Sequence, residues 1–83
     1  MSIRNPTLDI KSISPGQCRA ARALLDMDQN TLAAAADVSR GVIIDFEKER
    51  RVPGRNNLAA IRAALEAAGV EFIDHSGVRI ASN

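Results

Sequence analysis

Residues 47–55, EKERRVPGR, form the most concentrated cationic stretch of this 83-residue chain, because Lys48, Arg50, Arg51 and Arg55 outnumber Glu47 and Glu49 by two. Cations at that density can neutralise phosphates, and they equally suit a solvated turn, so the patch alone does not choose between nucleic acid and plain surface. The whole chain carries only +1, since acids such as Asp9, Asp26 and Glu71 dilute the total without touching the patch. Catalytic chemistry finds little to use. His75 is the only histidine, in a loop-like DHSG, and no motif places a cysteine or serine beside it. Cys18 is the only cysteine, which excludes an internal disulfide, and no Cys/His cluster has zinc-site spacing. Neither a glycine-rich phosphate loop nor a paired-carboxylate signature appears. The expectation is a non-enzyme with no metal and no cofactor.

The elements that must hold the basic stretch belong to a chain too short for two hydrophobic cores, so one domain is expected. The apolar share is 46%, but Phe46 and Phe72 are the only aromatics, and much of the rest is alanine. Such small side chains suit closely packed helices, and a core of this size gains from a partner subunit. Ser14, Pro15 and Gln17 combine an N-cap hydroxyl, a first-turn proline and a capping-box glutamine, so a helix starts there. Ala20, Ala21, Leu24 and Leu25 mark its inward side, with Arg19 and Arg22 flanking. Asp28 caps a second helix over 29–36, facing inward through Leu32, Ala33 and Ala36. Asp37, Val38 and Ser39 make a tight connection, and Ser39 caps a third helix over 40–47 that buries Ile43 and Phe46. Arg40, Gly41, Ile44 and Asp45 face outward. A fourth helix over about 55–68 carries Leu58, Ile61, Ala64, Leu65 and Ala68 on one face and stops at Gly69. Val70, Phe72, Ile73, Val78 and Ile80 then flank a four-residue loop, 74–77, as two short strands. Residues 1–13, with Leu8, Ile10 and Ile13, read as an arm or short strand.

Two short helices joined by a tight turn place the second across the first, so its outer face can enter a major groove about 12 Å wide. Over DQNTLAAAADVSRGVIIDFEKERRVP the sequence resembles the lambda-repressor-like, or XRE-type, helix-turn-helix regulators. The shared features are Gln29, Leu32 and Ala33, the valine and serine of the turn, Ile43, the aromatic Phe46, Glu47, Arg50 and Pro53. The resemblance spans residues 14–69. It implies a mostly helical, lambda repressor-like DNA-binding domain of about four helices, here with a short C-terminal β-hairpin over 70–83.

The resemblance also implies roles. Gln29 and Ser39 would contact phosphates from helix starts, joined by Arg50, Arg51 and Arg55. Arg40 would open the recognition helix, where a guanidinium can bridge guanine O6 and N7. Gly41 would permit close approach, Val42 could meet a thymine methyl, and Asp45 could accept from a cytosine amino group. Arg22 would pair with Glu47 to fix the frame. Each role competes with a plainer one: Arg40 as an exposed helix-start arginine, Gln29 and Ser39 as helix-end residues, the arginines of 50–55 as surface charge. Asp37 and Glu49 stand where the family usually carries glycine, and glutamate tolerates positive φ poorly, so a differently shaped turn is expected at Glu49. The hairpin takes the place of the family's usual fifth helix, and Phe72, Ile73, Val78 and Ile80 are its candidate dimer contacts, unless the hairpin folds back on its own core.

The resulting expectation is a dimeric regulator of double-stranded DNA on a roughly palindromic operator, acting on its own promoter as small members of that family commonly do. A protein-interaction module such as an antitoxin is the rival; it would need an apolar face on the third helix, where only Ile44 dissents from a polar surface. RNA or single strands would need exposed aromatics that this chain lacks. No second domain offers an effector pocket, and no leader-like or membrane-length apolar run occurs, so a cytoplasmic, nucleoid-associated protein without small-molecule effector or membrane partner is expected.

Overall fold

The computed structural model describes residues 12–82, and Leu8 and Ile10 of the expected arm lie outside the described residues. Among the described residues four helices and one hairpin follow in order: α1 Pro15–Leu25, α2 Gln29–Ala36, α3 Arg40–Glu47, α4 Arg55–Ala68, β1 Val70–Ile73 and β2 Gly77–Ile80. The fold is mostly helical, and its core begins one residue earlier than expected, because Ile13 is buried with it.

Each of the first three helices starts on a side-chain cap. Ser14 Oγ accepts from the Gln17 amide at 3.1 Å while Gln17 Oε1 accepts from the Ser14 amide at 2.9 Å, completing the capping box. Asp28 accepts from the Thr31 amide at 2.7 Å and Ser39 from that of Val42 at 3.3 Å. Such caps contribute about 1 kcal/mol each by satisfying amides with no helical acceptor. α4 starts at Gly54 without a side-chain cap.

The helix ends correct one expectation. Asp26, Asp37 and Glu49 all adopt left-handed backbone, with φ of 54, 57 and 62°. Glutamate therefore takes the conformation that glycine would take, and the turn after α3 keeps its shape. Closure explains it: the Asp45 carbonyl accepts from the amides of Arg50 and Arg51 at 2.8 and 3.3 Å, and the Glu49 amide reaches the Phe46 carbonyl at 3.0 Å. Those bonds offset a left-handed cost of about 1–2 kcal/mol.

Leu32, Ile43, Phe46, Ile61 and Leu65 form the centre of the core, and Cys18, Ala21, Ala33, Ala36 and Val70 close around them. The inward face of α1 is rotated from the one apolarity suggests. Gln17, Cys18 and Ala21 are buried, whereas Leu24 is 46% exposed. Two polar residues, Gln17 and Arg22, turn that face because both find partners inside. Ala68 likewise lies exposed at the end of α4, beyond the last buried turn at Leu65.

The hairpin is antiparallel, with Val70 opposite Ile80, Phe72 opposite Val78 and Ile73 opposite Gly77. Its turn has three residues, 74–76, because Gly77 already pairs: a Cβ there would come within 2.9 Å of Ile73 Cβ and 3.1 Å of its carbonyl oxygen. Val70, Phe72 and Val78 pack on the core, so the hairpin does fold back on its own domain. Gln17 anchors it. Its Nε2 donates to the carbonyls of Asp74 at 3.0 Å and Gly77 at 2.9 Å, which with the capping bond satisfies the whole buried amide. Arg62 lies 5.5 Å from the Phe72 ring centroid and covers the hairpin from α4.

Candidate nucleic-acid interface

α3 presents two chemically different faces. On the inner one, Glu47 is 3% exposed and is bonded from two other helices, α1 and α2. Arg22 donates from Nε and from Nη2 to its two carboxylate oxygens, each at 2.7 Å, a bidentate geometry. Gln29 Nε2 adds a bond at 3.0 Å and Cys18 Sγ one at 3.2 Å. Arg19 donates to the Glu47 backbone carbonyl, and Arg22 reaches the Met27 carbonyl at 3.0 Å. Together these tie α1, the α1–α2 turn and α2 to the last residue of α3.

The electrostatics follow from that crowd. Burial pushes the Glu47 carboxyl up, but bonds from Arg22, Gln29 and Cys18 with the charge of Arg22 outweigh it and hold the group below its ordinary value. The Cys18 thiol is pushed far above the usual thiol range, by burial first and then by its bond to Glu47 and that residue's charge. Arg22 is held protonated even more firmly than usual by its hydrogen bond to Glu47. At the start of α2, the bond from Thr31 lowers Asp28.

On the outer face, Ser39, Arg40 and Gly41 are exposed and Val42 and Asp45 half-buried. Arg51, Val52, Pro53 and Gly54 run beside them, and Ser39, Val42, Asp45 and Asn57 line the cleft between this loop and the helix. Arg40, Arg51 and Arg55 are exposed and form no salt bridge with any described residue. A methyl on Gly41 would meet only Ser39 Oγ, at 3.9 Å, so nothing inside the fold requires a glycine there. Ile44 is half-buried and does not make an open apolar face.

Several sequence candidates therefore sit together at the start of α3 and in the loop after it, but two have company that was not foreseen. Arg50 is held by Asp45, both its Nε and Nη2 reaching Oδ1, at 3.1 and 2.9 Å. Gln29 commits one amide hydrogen to Glu47 and keeps the other at the start of α2. Phe72 and Val78 are turned toward their own core, which leaves Ile73, 45% exposed, and Ile80, 52% exposed, as the open apolar residues of the hairpin. Cys18 as a donor to Glu47 escaped the sequence reading, although its position one turn before Arg22 on α1 offered a signal. Gln17 as the hairpin's anchor gave none, since its partners are backbone carbonyls 57 and 60 residues away.

Residues 19–71 match the model of a protein family described as helix-turn-helix, a span running from α1 through the first residues of β1. No curated protein matches the chain. No helix among the described residues is long and apolar enough to cross a membrane.

Proposed function

The chain belongs to the helix-turn-helix family of XRE-type, lambda repressor-like DNA-binding regulators, and on that premise we propose that it binds a specific, roughly palindromic duplex as a homodimer, with α3 in the major groove. One observation carries this reading: the start of α3 offers Arg40 and Gly41 to the outside, the glycine not required by the fold, beside Arg51 and Arg55, which form no salt bridge with any described residue. A Cβ at Gly41 would meet only Ser39 Oγ, in ordinary contact at 3.9 Å, so the bare backbone at the second residue of α3 fits a surface that something else approaches.

In this reading Arg40 takes a guanine edge, and Gly41 and Val42 lie against neighbouring bases. Ser39, the free amide hydrogen of Gln29, Arg51 and Arg55 hold phosphates on either side. Phosphate contacts set register and base contacts set sequence, so the two groups should separate experimentally. Selection of bound sequences from random duplex, repeated with Arg40→Ala, tests this. The variant should lose about 1–3 kcal/mol of discrimination at one base position per half-site, with thermal stability unchanged. An unaltered selected sequence would remove Arg40 from base reading.

A dimer places two copies of α3 about 34 Å apart, one turn of duplex. Exposed Ile73 and Ile80, on a hairpin whose other apolar residues are already covered, favour the hairpin as the joining surface. The protein-interaction alternative would need an apolar α3, and half-buried Ile44 does not supply one.

A further inference from the structure

The family resemblance implies separate tasks for Asp45 and Arg50, one at a base and one at a phosphate, yet in the folded chain they hold each other. The amides of Arg50 and Arg51 are fixed on the Asp45 carbonyl, so the backbone sets where Arg50 emerges. The side-chain bond then sets where it points. Both side chains are open to solvent, Asp45 at 40% and Arg50 at 56%. A pair this exposed contributes only about 0.2–1 kcal/mol, so a comparable partner can displace either member. Arg40, Arg51 and Arg55 are not tied to an acid in this way among the described residues. Arg50 alone of the arginines flanking the α3 outer face is withheld, and the acid that withholds it sits on the base-reading helix itself.

Resting on the reading of α3 as the base-reading helix, we infer that the Asp45–Arg50 pair is a specificity latch that couples recognition of a base to capture of a phosphate. On a non-cognate duplex the latch stays closed and Arg50 contributes no backbone contact. Where the duplex presents a cytosine amino group to α3, Asp45 accepts from it and Arg50 passes to a phosphate. Each charged group exchanges one hydrogen-bonded partner for another, so neither is left buried and unpartnered against the duplex. A correct base therefore gains two contacts, and an incorrect one loses both. Asp45 acting alone would give discrimination without a change in the number of phosphates neutralised, which is the measurable difference.

The test is binding of the full chain to a random-sequence duplex and to its own selected duplex, between about 50 and 200 mM salt, for the parent, Asp45→Asn, Arg50→Gln and the double variant. Circular dichroism checks that the fold is kept. With the latch opened by Asp45→Asn, Arg50 reaches a phosphate on any sequence. The slope of log affinity against log salt on random duplex should steepen by about 0.9, about a threefold larger loss over that salt range. The ratio of specific to non-specific affinity should fall. In the double variant the added slope should vanish. An Asp45→Asn effect of equal size with and without Arg50 would show simple repulsion of phosphate by the acid and overturn the latch. So would an unchanged specificity ratio. A parent without affinity for any duplex would overturn the DNA-binding reading as well, whereas the first two results leave it standing.

Discussion

Glu47 and Asp45 stand two residues apart on one eight-residue helix, and each is bonded by an arginine, yet they belong to different regimes. Glu47 faces inward, 3% exposed, and is bonded by Arg22, Gln29 and Cys18. Asp45 faces outward and shares one oxygen with one arginine, with solvent on the other side. The chemistry of the pair is the same; burial decides whether it fixes a frame or stays exchangeable. A short helix thus holds its orientation with one carboxylate and keeps its reading face adjustable with another.

The comparison breaks most directly at Arg22. Arg22→Ala strands Glu47 in the interior, and the expected loss is about 3–5 kcal/mol. For a domain this small that approaches its whole stability, about 3–5 kcal/mol, so the variant should be largely unfolded in urea titrations that leave the parent native. Equal unfolding midpoints would refute a framing role for the pair.

Acid should sharpen the same contrast. The Glu47 carboxyl titrates lower in the folded chain than in the unfolded one. Its contribution is therefore fully present above the unfolded value of about 4.3 and is lost as pH falls through the lower folded value. Denaturation midpoints should fall steeply below about pH 4. In Glu47→Gln the midpoint should be lower near neutral pH and should approach the parent's in acid, because that part of the acid fall is missing, while the part from Asp28 remains. Parallel acid profiles of variant and parent would argue against Glu47 as the titrating group.

Gln17→Ala tests a neutral tie of comparable burial. Three bonds disappear, but the carbonyls of Asp74 and Gly77 at the tip of the hairpin can turn to solvent, so about 2 kcal/mol is expected. Amide exchange should accelerate first in the hairpin, with α3 little changed; uniform acceleration would mean the hairpin and helices open as one unit. The smallest effect belongs to the outer pair. Asp45→Asn should alter stability by less than about 1 kcal/mol, and a larger loss in thermal unfolding would place Asp45 in the frame with Glu47.

The sequence made some of this division legible and hid the rest for a physical reason. Ser14, Asp28, Ser39 and Gly69 act on neighbours within a few residues, so their types and positions marked the helix boundaries directly. The family resemblance supplied the pairing of Arg22 with Glu47. Gln29 and Cys18 as further partners of Glu47 depend on how three helices converge. The inward turn of α1 through Gln17 and Arg22, at the expense of Leu24, defeats a reading based on apolarity, because buried polar groups follow their partners rather than their hydropathy. The turn at Glu49 misled for the opposite reason: side-chain preference pointed one way, and backbone bonds to Asp45 prevailed.

Those left-handed turns have one more consequence. Asp26 and Asp37 put a negative charge at the carboxyl end of each of the first two helices, where the peptide dipoles already concentrate negative potential. Mobile counterions screen that repulsion, and they also compete for the phosphates that the outer arginines would hold. These helix ends are therefore eased by the same rise in ionic strength that weakens binding to a polyanion, so at its carboxyl termini the protein is best settled under conditions in which it is least attached.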